Sequence, residues 1–306
     1  MLSSFFSFSA IFSMKQNSFL YHLLAVFVVA IWGTTFVATK VLIQNGLNPT
    51  EIFVYRFVLA YACIVFMAPK RMWSNSFADE AKLMLAGITG GSLYFITENT
   101  ALGLTTASNV AMLIAITPLL TTLLGMAVFS SERSKKPERI ILGSIIALIG
   151  VFIVIGNGRI NLNFGSLGDL LTLCAALSWA VYSLLVKNLA KHYSGTFISR
   201  KVFGYGLLSI AIYIPFFPAH FHLEQLLLPH VWPTLLYLGV IASMVCFTAW
   251  NLVVNNIGMV KATNYININP IATFVSAYLV LGERITLLSL VGAACILVGV
   301  YLAEKK

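Results

Sequence analysis

Three ionisable side chains stand in almost wholly apolar surroundings: Lys40 in AIWGTTFVATKVLI, Arg56 in EIFVYRFVLAYACIVF and Glu98 in GGSLYFITENTALG. Charged groups at membrane depth are costly and normally face a partner, a cavity or water. Glu98 lies about fifteen residues into its apolar run and Arg56 about six into its own, which puts both at similar depth. Lys40 comes about twenty residues after Leu20; at roughly 1.5 Å per residue it reaches the far interface.

Two readings of Arg56 and Glu98 follow. They form an ion pair that locks the fold, or they line a polar path together with Lys40. Such a path would bind a charged or zwitterionic solute, or let Glu98 carry a proton. Exposure to lipid is the third alternative. For Lys40 the bland alternative is a snorkelling lysine, and for Lys187 more so. Two cations against one acid favour amino acids or other carboxylates over cationic drugs.

Aromatic and amide residues supply the remaining chemistry. Trp32 and Phe36 share a helix face, as do Tyr94 and Glu98. Trp179 and Tyr182 form a second pair. Asn99, Trp250-Asn251 and the run Asn264, Asn267, Asn269 add amides with nothing to bond in lipid. Aromatic walls with a few placed polar groups suit an amphipathic small molecule, although each residue alone is equally compatible with interhelical packing. Pro118 and Pro270 read as mid-helix prolines. Each removes a donor and frees the carbonyl four residues earlier, at Ile114 and Ile266. A bare carbonyl belongs in a wet cavity rather than in lipid, so both mark a gating break.

The elements that must carry these residues follow from composition. Of 306 residues, 59% are hydrophobic and 9% charged, against roughly 25% charged in soluble domains. Charges gather between apolar runs of about 20 residues, a bilayer-spanning helix each. The expectation is an all-α polytopic membrane protein with ten spans near 20–43, 50–68, 83–103, 108–129, 139–156, 167–188, 198–217, 233–256, 262–281 and 286–303.

With both termini cytoplasmic, one side collects Lys15, Lys70, Arg71, Lys82, Arg133, Lys135, Lys136, Arg139, Lys187, Lys191, Arg200, Lys201, Lys261, Lys305 and Lys306. The outer loops keep only Arg159 and Arg284. That bias accounts for much of the +9 net charge without a nucleic-acid partner, and anionic membrane lipid is the expected contact. Met14-Lys15 reads as a natural bacterial start, so residues 1–13 are expected to be an over-extended frame or a disordered tail. Asn48-Pro49-Thr50-Glu51 and Ser166 to Asp169 carry helix-start signals.

The pattern repeats. Trp32–Lys40 recurs as Trp179–Lys187, and TPLLTTLLGMAVFSSER recurs as NPIATFVSAYLVLGER. Both of these copies end in Glu-Arg, at Glu132-Arg133 and Glu283-Arg284. GLTTASN matches GMVKATN, and Gly143/Gly150 match Gly292/Gly299. Five spans per copy is an odd number, so the second copy is inverted, a device of secondary transporters. The organisation expected is a 1–17 tail, a first repeat at 18–156, a 157–165 linker, a second repeat at 166–303 and a 304–306 tail.

On WGTTFVATK, ALGLTTASNVAMLIAITPLLTTLLG with Glu132, WAVYSLLVK, and NPIATFVSAYLVLGER with Gly292 and Gly299, the chain resembles an EamA-type permease of the drug/metabolite transporter superfamily. The resemblance runs from around residue 18 to the end. It implies a ten-helix carrier in the bacterial inner membrane, both termini cytoplasmic, that moves small metabolites without ATP.

Export of an amino acid or other carboxylate by alternating access, coupled to a proton or ion gradient, is the leading reading. A multidrug exporter, a channel or a membrane enzyme are the alternatives. No HExxH, GxSxG or GxxxxGK[ST] motif occurs, so neither catalytic residues nor a cofactor are expected. HFHLEQLLLPH, with His220, His222, Glu224 and His230, is read as a solvated loop rather than a metal site. The four cysteines (Cys63, Cys174, Cys246 and Cys295) are read as small hydrophobes. A monomer or homodimer is expected.

Overall fold

The computed structural model describes residues 18–67, 72–128, 137–156, 167–215 and 221–304. The expected tail at 1–17, the linker at 157–165, Ser166, His220 and the Glu132-Arg133 pair lie outside them. Among the described residues ten helical rods follow in chain order. The first half holds α1 (Ser18–Gln44), α2 (Pro49–Met67), α3 (77–104), α4 (Ala107–Val128) and α5 (Pro137–Gly156). The second half holds α6 (Leu167–Leu189), α7 (Gly195–Tyr213), α8 (Val231–Ile257), α9 (259–281) and α10 (Leu287–Glu304). Of these, α1, α2, α4, α6 and α8 are each long and apolar enough to cross a membrane. The fold is an all-α polytopic membrane architecture of two inverted five-helix repeats.

Local chemistry sets the helix starts. Asn48 and Glu51 form a reciprocal capping box: the Glu51 N–H donates to Asn48 Oδ1 at 2.9 Å, and the Asn48 N–H donates to Glu51 Oε2 at 2.8 Å. Ser76, Thr106 and Ser194 cap α3, α4 and α7. Gly258 (φ 87°) and Gly282 (φ 65°) take the positive-φ conformation that ends α8 and α9.

Four rods depart from the continuous helices expected. In α3, a π-helical turn at Ile88–Leu93 separates Phe77–Gly87 from Tyr94–Leu104. In α8, a π-helical stretch at Tyr237–Val245 separates Val231–Leu236 from Cys246–Ile257. The α-helical segments that follow are 11 and 12 residues long. Both π turns fall in the third rod of their half, ending ten residues before Gly103 in one and thirteen before the matching Gly258 in the other.

The prolines also correct the sequence expectation. α4 breaks at Ala115-Ile116 and α9 passes through a 3-10 turn at Tyr265–Ile268. Pro118 and Pro270 sit in the first turns of the segments that resume, where a missing N–H costs nothing. The carbonyls they were expected to leave bare are satisfied locally. Ile114 accepts from Thr117 Oγ1 at 2.6 Å, and Ile266 accepts from the Asn269 N–H.

α5 and α10 pack side by side through the repeated glycine pairs. A Cβ added at Gly150 would lie 2.6 Å from the Gly292 carbonyl, and one at Gly299 would lie 2.5 Å from the Gly143 carbonyl. Each glycine therefore permits close backbone approach, which is how helices associate where lipid supplies no hydrophobic drive. Their outer faces (Ile141, Ile145, Phe152, Val298, Tyr301) are exposed and apolar. α1 and α6, the equivalent first rods of each half, instead meet at the centre. The rings of Trp32 and Trp179 lie 5.2 Å apart, edge to face.

Candidate functional site

The centre of the bundle holds a cavity with about 420 Å³ of empty space. α1 contributes Trp32, Thr35 and Phe36, α2 contributes Arg56, and α3 contributes Tyr94, Phe95 and Glu98. Trp179 of α6 and Phe247 of α8 close the wall. Ile114 with Thr117, and Ile266 with Asn269, come from the breaks in α4 and α9. Both breaks therefore open on the same space. Its unobstructed interior has room for only about one or two waters, so a larger solute needs the walls to move apart.

The walls are aromatic. Trp32 contacts Trp179, Phe247 (5.7 Å) and Trp250 (5.1 Å), and Tyr94 contacts both Trp179 (5.0 Å) and Phe95 (4.9 Å). Tilted and edge-on contacts of this kind hold rings in defined orientations. The Trp32 indole N–H is committed to the Ala242 carbonyl at 2.9 Å, which fixes its plane.

Against these walls stand two buried ionisable groups. The Arg56 Nε donates to Ser243 Oγ at 2.6 Å, and its guanidinium carbon sits 4.3 Å from the Phe95 ring centroid. Stacking and a hydrogen bond on one edge leave the opposite edge free, and Nη1 has no partner. Glu98 is 1% exposed and its Oε2 also has no partner. No hydrogen bond or ion pair joins the two residues, which goes against the locked-pair alternative, and both line the cavity. Trp179 Nε1 and Asn269 Oδ1 are likewise unpartnered. Orphaned buried polar atoms are expensive, and here a donor set and an acceptor set face one space.

The structure thus brings Trp32, Arg56, Tyr94, Glu98 and Trp179 together, and leaves the other candidates elsewhere. Lys40 Nζ caps the end of α3, donating to the Leu102 and Thr105 carbonyls at 2.5 and 2.9 Å, and does not line the cavity. Asn99 donates to the Pro49 carbonyl. Tyr182 donates to Asn251, whose amide also bonds Ser199, and both are interhelical ties. Trp250 is fully buried behind Trp32. Asn264 and Asn267 flank the lining residue Ile266 without lining the cavity themselves, and the side-chain oxygen of each is buried without a partner.

Sequence reasoning missed Thr35, Phe95, Thr117, Ser243 and Phe247; the three hydroxyls carried a weak signal, as polar groups inside apolar runs, and the two phenylalanines carried none. In the loop before α8, the His222 N–H and ring both bond Glu51, and His230 bonds Asn45. Among the described residues no three His, Cys, Asp or Glu converge to hold a metal.

The two ends of the bundle are tied by polar contacts. At the end expected to face outward, Glu283 accepts from the Ala107 and Ser108 N–H groups. At the opposite end Glu80 accepts from Lys201, Tyr205 and the Ser74 N–H. Tyr193 donates to Asp79 at 2.8 Å.

Comparison with known proteins matches the model of the EamA-like transporter family twice, over residues 19–156 and 166–304. A probable amino-acid metabolite efflux pump of Escherichia coli (strain K12) is 28% identical, the match covering 91% of this chain and 93% of the relative. A probable terminal-alkyne amino-acid exporter of Streptantibioticus cattleyicolor is 27% identical, covering 92% of each. A solved crystal structure shares the fold at TM-score 0.64 and 18% identity, covering 94% of this chain and 98% of that one.

Proposed function

Because the chain belongs to the EamA-like transporter family, and so is an integral membrane transporter, we propose that it moves a small zwitterionic or carboxylate metabolite, an amino acid above all, across the membrane. The observation that carries this reading is the pairing of orphaned atoms in one aromatic-walled cavity. Arg56 Nη1 offers a charged donor for a carboxylate, and Glu98 Oε2 with Asn269 Oδ1 offers acceptors for an ammonium group. A zwitterion satisfies both at once, whereas a cationic drug leaves Arg56 unpaired and repelled. The names of the two amino-acid exporters among the relatives support export as the direction.

Alternating access is the transport mode, since the cavity lies between two inverted halves and is too narrow to conduct as it stands. Glu98, the acid of that cavity, is the candidate proton carrier for coupling to a gradient. The bacterial inner membrane, with both termini cytoplasmic, is the location we assign from the distribution of Lys and Arg. The protein acts as a monomer or homodimer, with lipid and a small solute as its partners, and as a carrier rather than an enzyme.

Counterflow in proteoliposomes tests the reading. An unlabelled neutral amino acid inside should accelerate uptake of the labelled one. The des-amino carboxylate and the amino-acid amide should each exchange less well than the parent. Absence of trans-stimulation by any amino acid would refute the proposal, and better exchange of amphipathic cations would favour a multidrug carrier instead.

A further inference from the structure

The two π-helical turns form a matched set of contacts across the inverted halves. A π turn bonds i to i+5, accommodates an extra residue and takes a carbonyl out of the ordinary ladder. In α8 the Cys246 N–H bonds the Ile241 and Ser243 carbonyls and passes over Ala242, its α-helical acceptor. The carbonyl so released is the one that accepts the Trp32 indole of α1. One residue on, Ser243 Oγ accepts from Arg56 of α2.

α3 makes a comparable pair of contacts with the halves exchanged, its carbonyl and serine lying three residues apart where those of α8 are adjacent. The Thr89 carbonyl, inside its π turn, accepts from Ser178 Oγ of α6 at 2.7 Å. Ser92 Oγ bonds Ser209 Oγ of α7 at 2.7 Å. Gly90 lets the Tyr182 ring of α6 close down on the turn, where an added Cβ would meet a ring carbon at 2.3 Å. In each half, then, the third rod uses a π-turn carbonyl to hold the first rod of the other half, and a π-turn serine to hold its second rod.

We propose that these two π turns are a matched pair of clasps through which the halves grip and release one another during the transport cycle. The inference rests on the reading of the chain as an alternating-access carrier. Inversion makes its content specific. The two clasps are related by an axis that exchanges the two membrane faces, so weakening one should open the cavity to one face and weakening the other should open it to the opposite face. Serines that merely stabilise the fold carry no such difference of sign.

The test places a reporter cysteine in the cavity wall, Thr117→Cys, and labels it with a membrane-impermeant thiol reagent in right-side-out and in inside-out vesicles. Labelling is taken relative to the same chain without the reporter. Ser178→Ala and Ser92→Ala, on the α3 clasp, should shift the ratio of labelling from the two faces one way. Ser243→Ala, on the α8 clasp, should shift it the other way, each by about 2- to 10-fold, the worth of one hydrogen bond. Shifts of the same sign, or no shift, in a chain whose reporter thiol labels from both faces would overturn the clasp inference and leave the carrier reading standing. Labelling from one face only, whatever solute is added, would overturn both.

Discussion

The Glu283 carboxylate holds Ser108 twice, through its backbone N–H at 3.0 Å and its hydroxyl at 2.6 Å, and takes the Ala107 N–H at 2.8 Å as well. A loop acid of the second half thereby caps the first turn of α4 in the first half, where free N–H groups and the helix dipole favour negative charge. Glu283→Ala should cost about 1.5–3 kcal/mol, the range for hydrogen bonds to a charged acceptor. Glu283→Gln should fall between it and the parent. Thermal unfolding of the solubilised protein reads the order, and equal stability of all three would show that the cap is idle.

Inside the cavity, Glu98→Gln and Arg56→Lys separate charge from geometry. Glu98→Gln keeps the shape and removes the charge that pairs with an ammonium group. Exchange of a neutral amino acid should fall about 10- to 150-fold, the equivalent of 1.5–3 kcal/mol. Arg56→Lys keeps the charge but loses the Ser243 bond and the stack on Phe95. Its effect should be a raised half-saturation concentration with a maximal rate closer to the parent's. Full activity in Glu98→Gln, with unchanged pH dependence of transport, would remove that residue from both recognition and coupling.

The order of ten rods was legible because a bilayer enforces long apolar runs and because duplicated motifs repeat in register. Arg56 and Glu98 stood out as ions inside apolar runs, and Trp32, Tyr94 and Trp179 as aromatics beside polar neighbours. What stayed hidden depends on backbone geometry. A π turn has no composition of its own, so ITGGSL and YLGVIASMV read as ordinary helix. Lys40 illustrates the same limit: depth alone implied a snorkelling or path-lining ammonium, whereas its ligands are carbonyls at the end of another helix. Phe247 was one apolar residue among many until α8 turned it toward Trp32 and Trp179.

At the opposite end of the bundle, Glu80 lies in the first turn of α3, ahead of the apolar stretch at 83–103. Burial alone would push its carboxyl up. Hydrogen bonds from Lys201, Ser74 and Tyr205 outweigh this and bring it down from 4.5 to about 2. A carboxylate depressed on folding adds stability that is complete above its ordinary value and is lost as pH falls through the folded one. The window is therefore between about 4.5 and about 2. Over it the parent should lose stability faster than Glu80→Gln, which should start lower at neutral pH. Parallel acid-unfolding curves for the two proteins would contradict the assignment.

The glycine pairs of α5 and α10 allow a prediction that separates fold from function. A Cβ at Gly299 would lie 2.4 Å from the Ala147 nitrogen and 2.5 Å from the Gly143 carbonyl, both backbone atoms that cannot turn aside. Gly299→Ala should therefore push the two helices apart and cost about 1–3 kcal/mol, as overpacking does. Neither helix lines the central cavity, so the half-saturation concentration of the protein that remains folded should match the parent's. Gly103 provides the control, since nothing lies within 4 Å of a Cβ built there. A Gly299→Ala protein as stable as the parent would mean the helices separate at no cost. A changed half-saturation concentration would mean that the α5–α10 pair is coupled to the cavity walls.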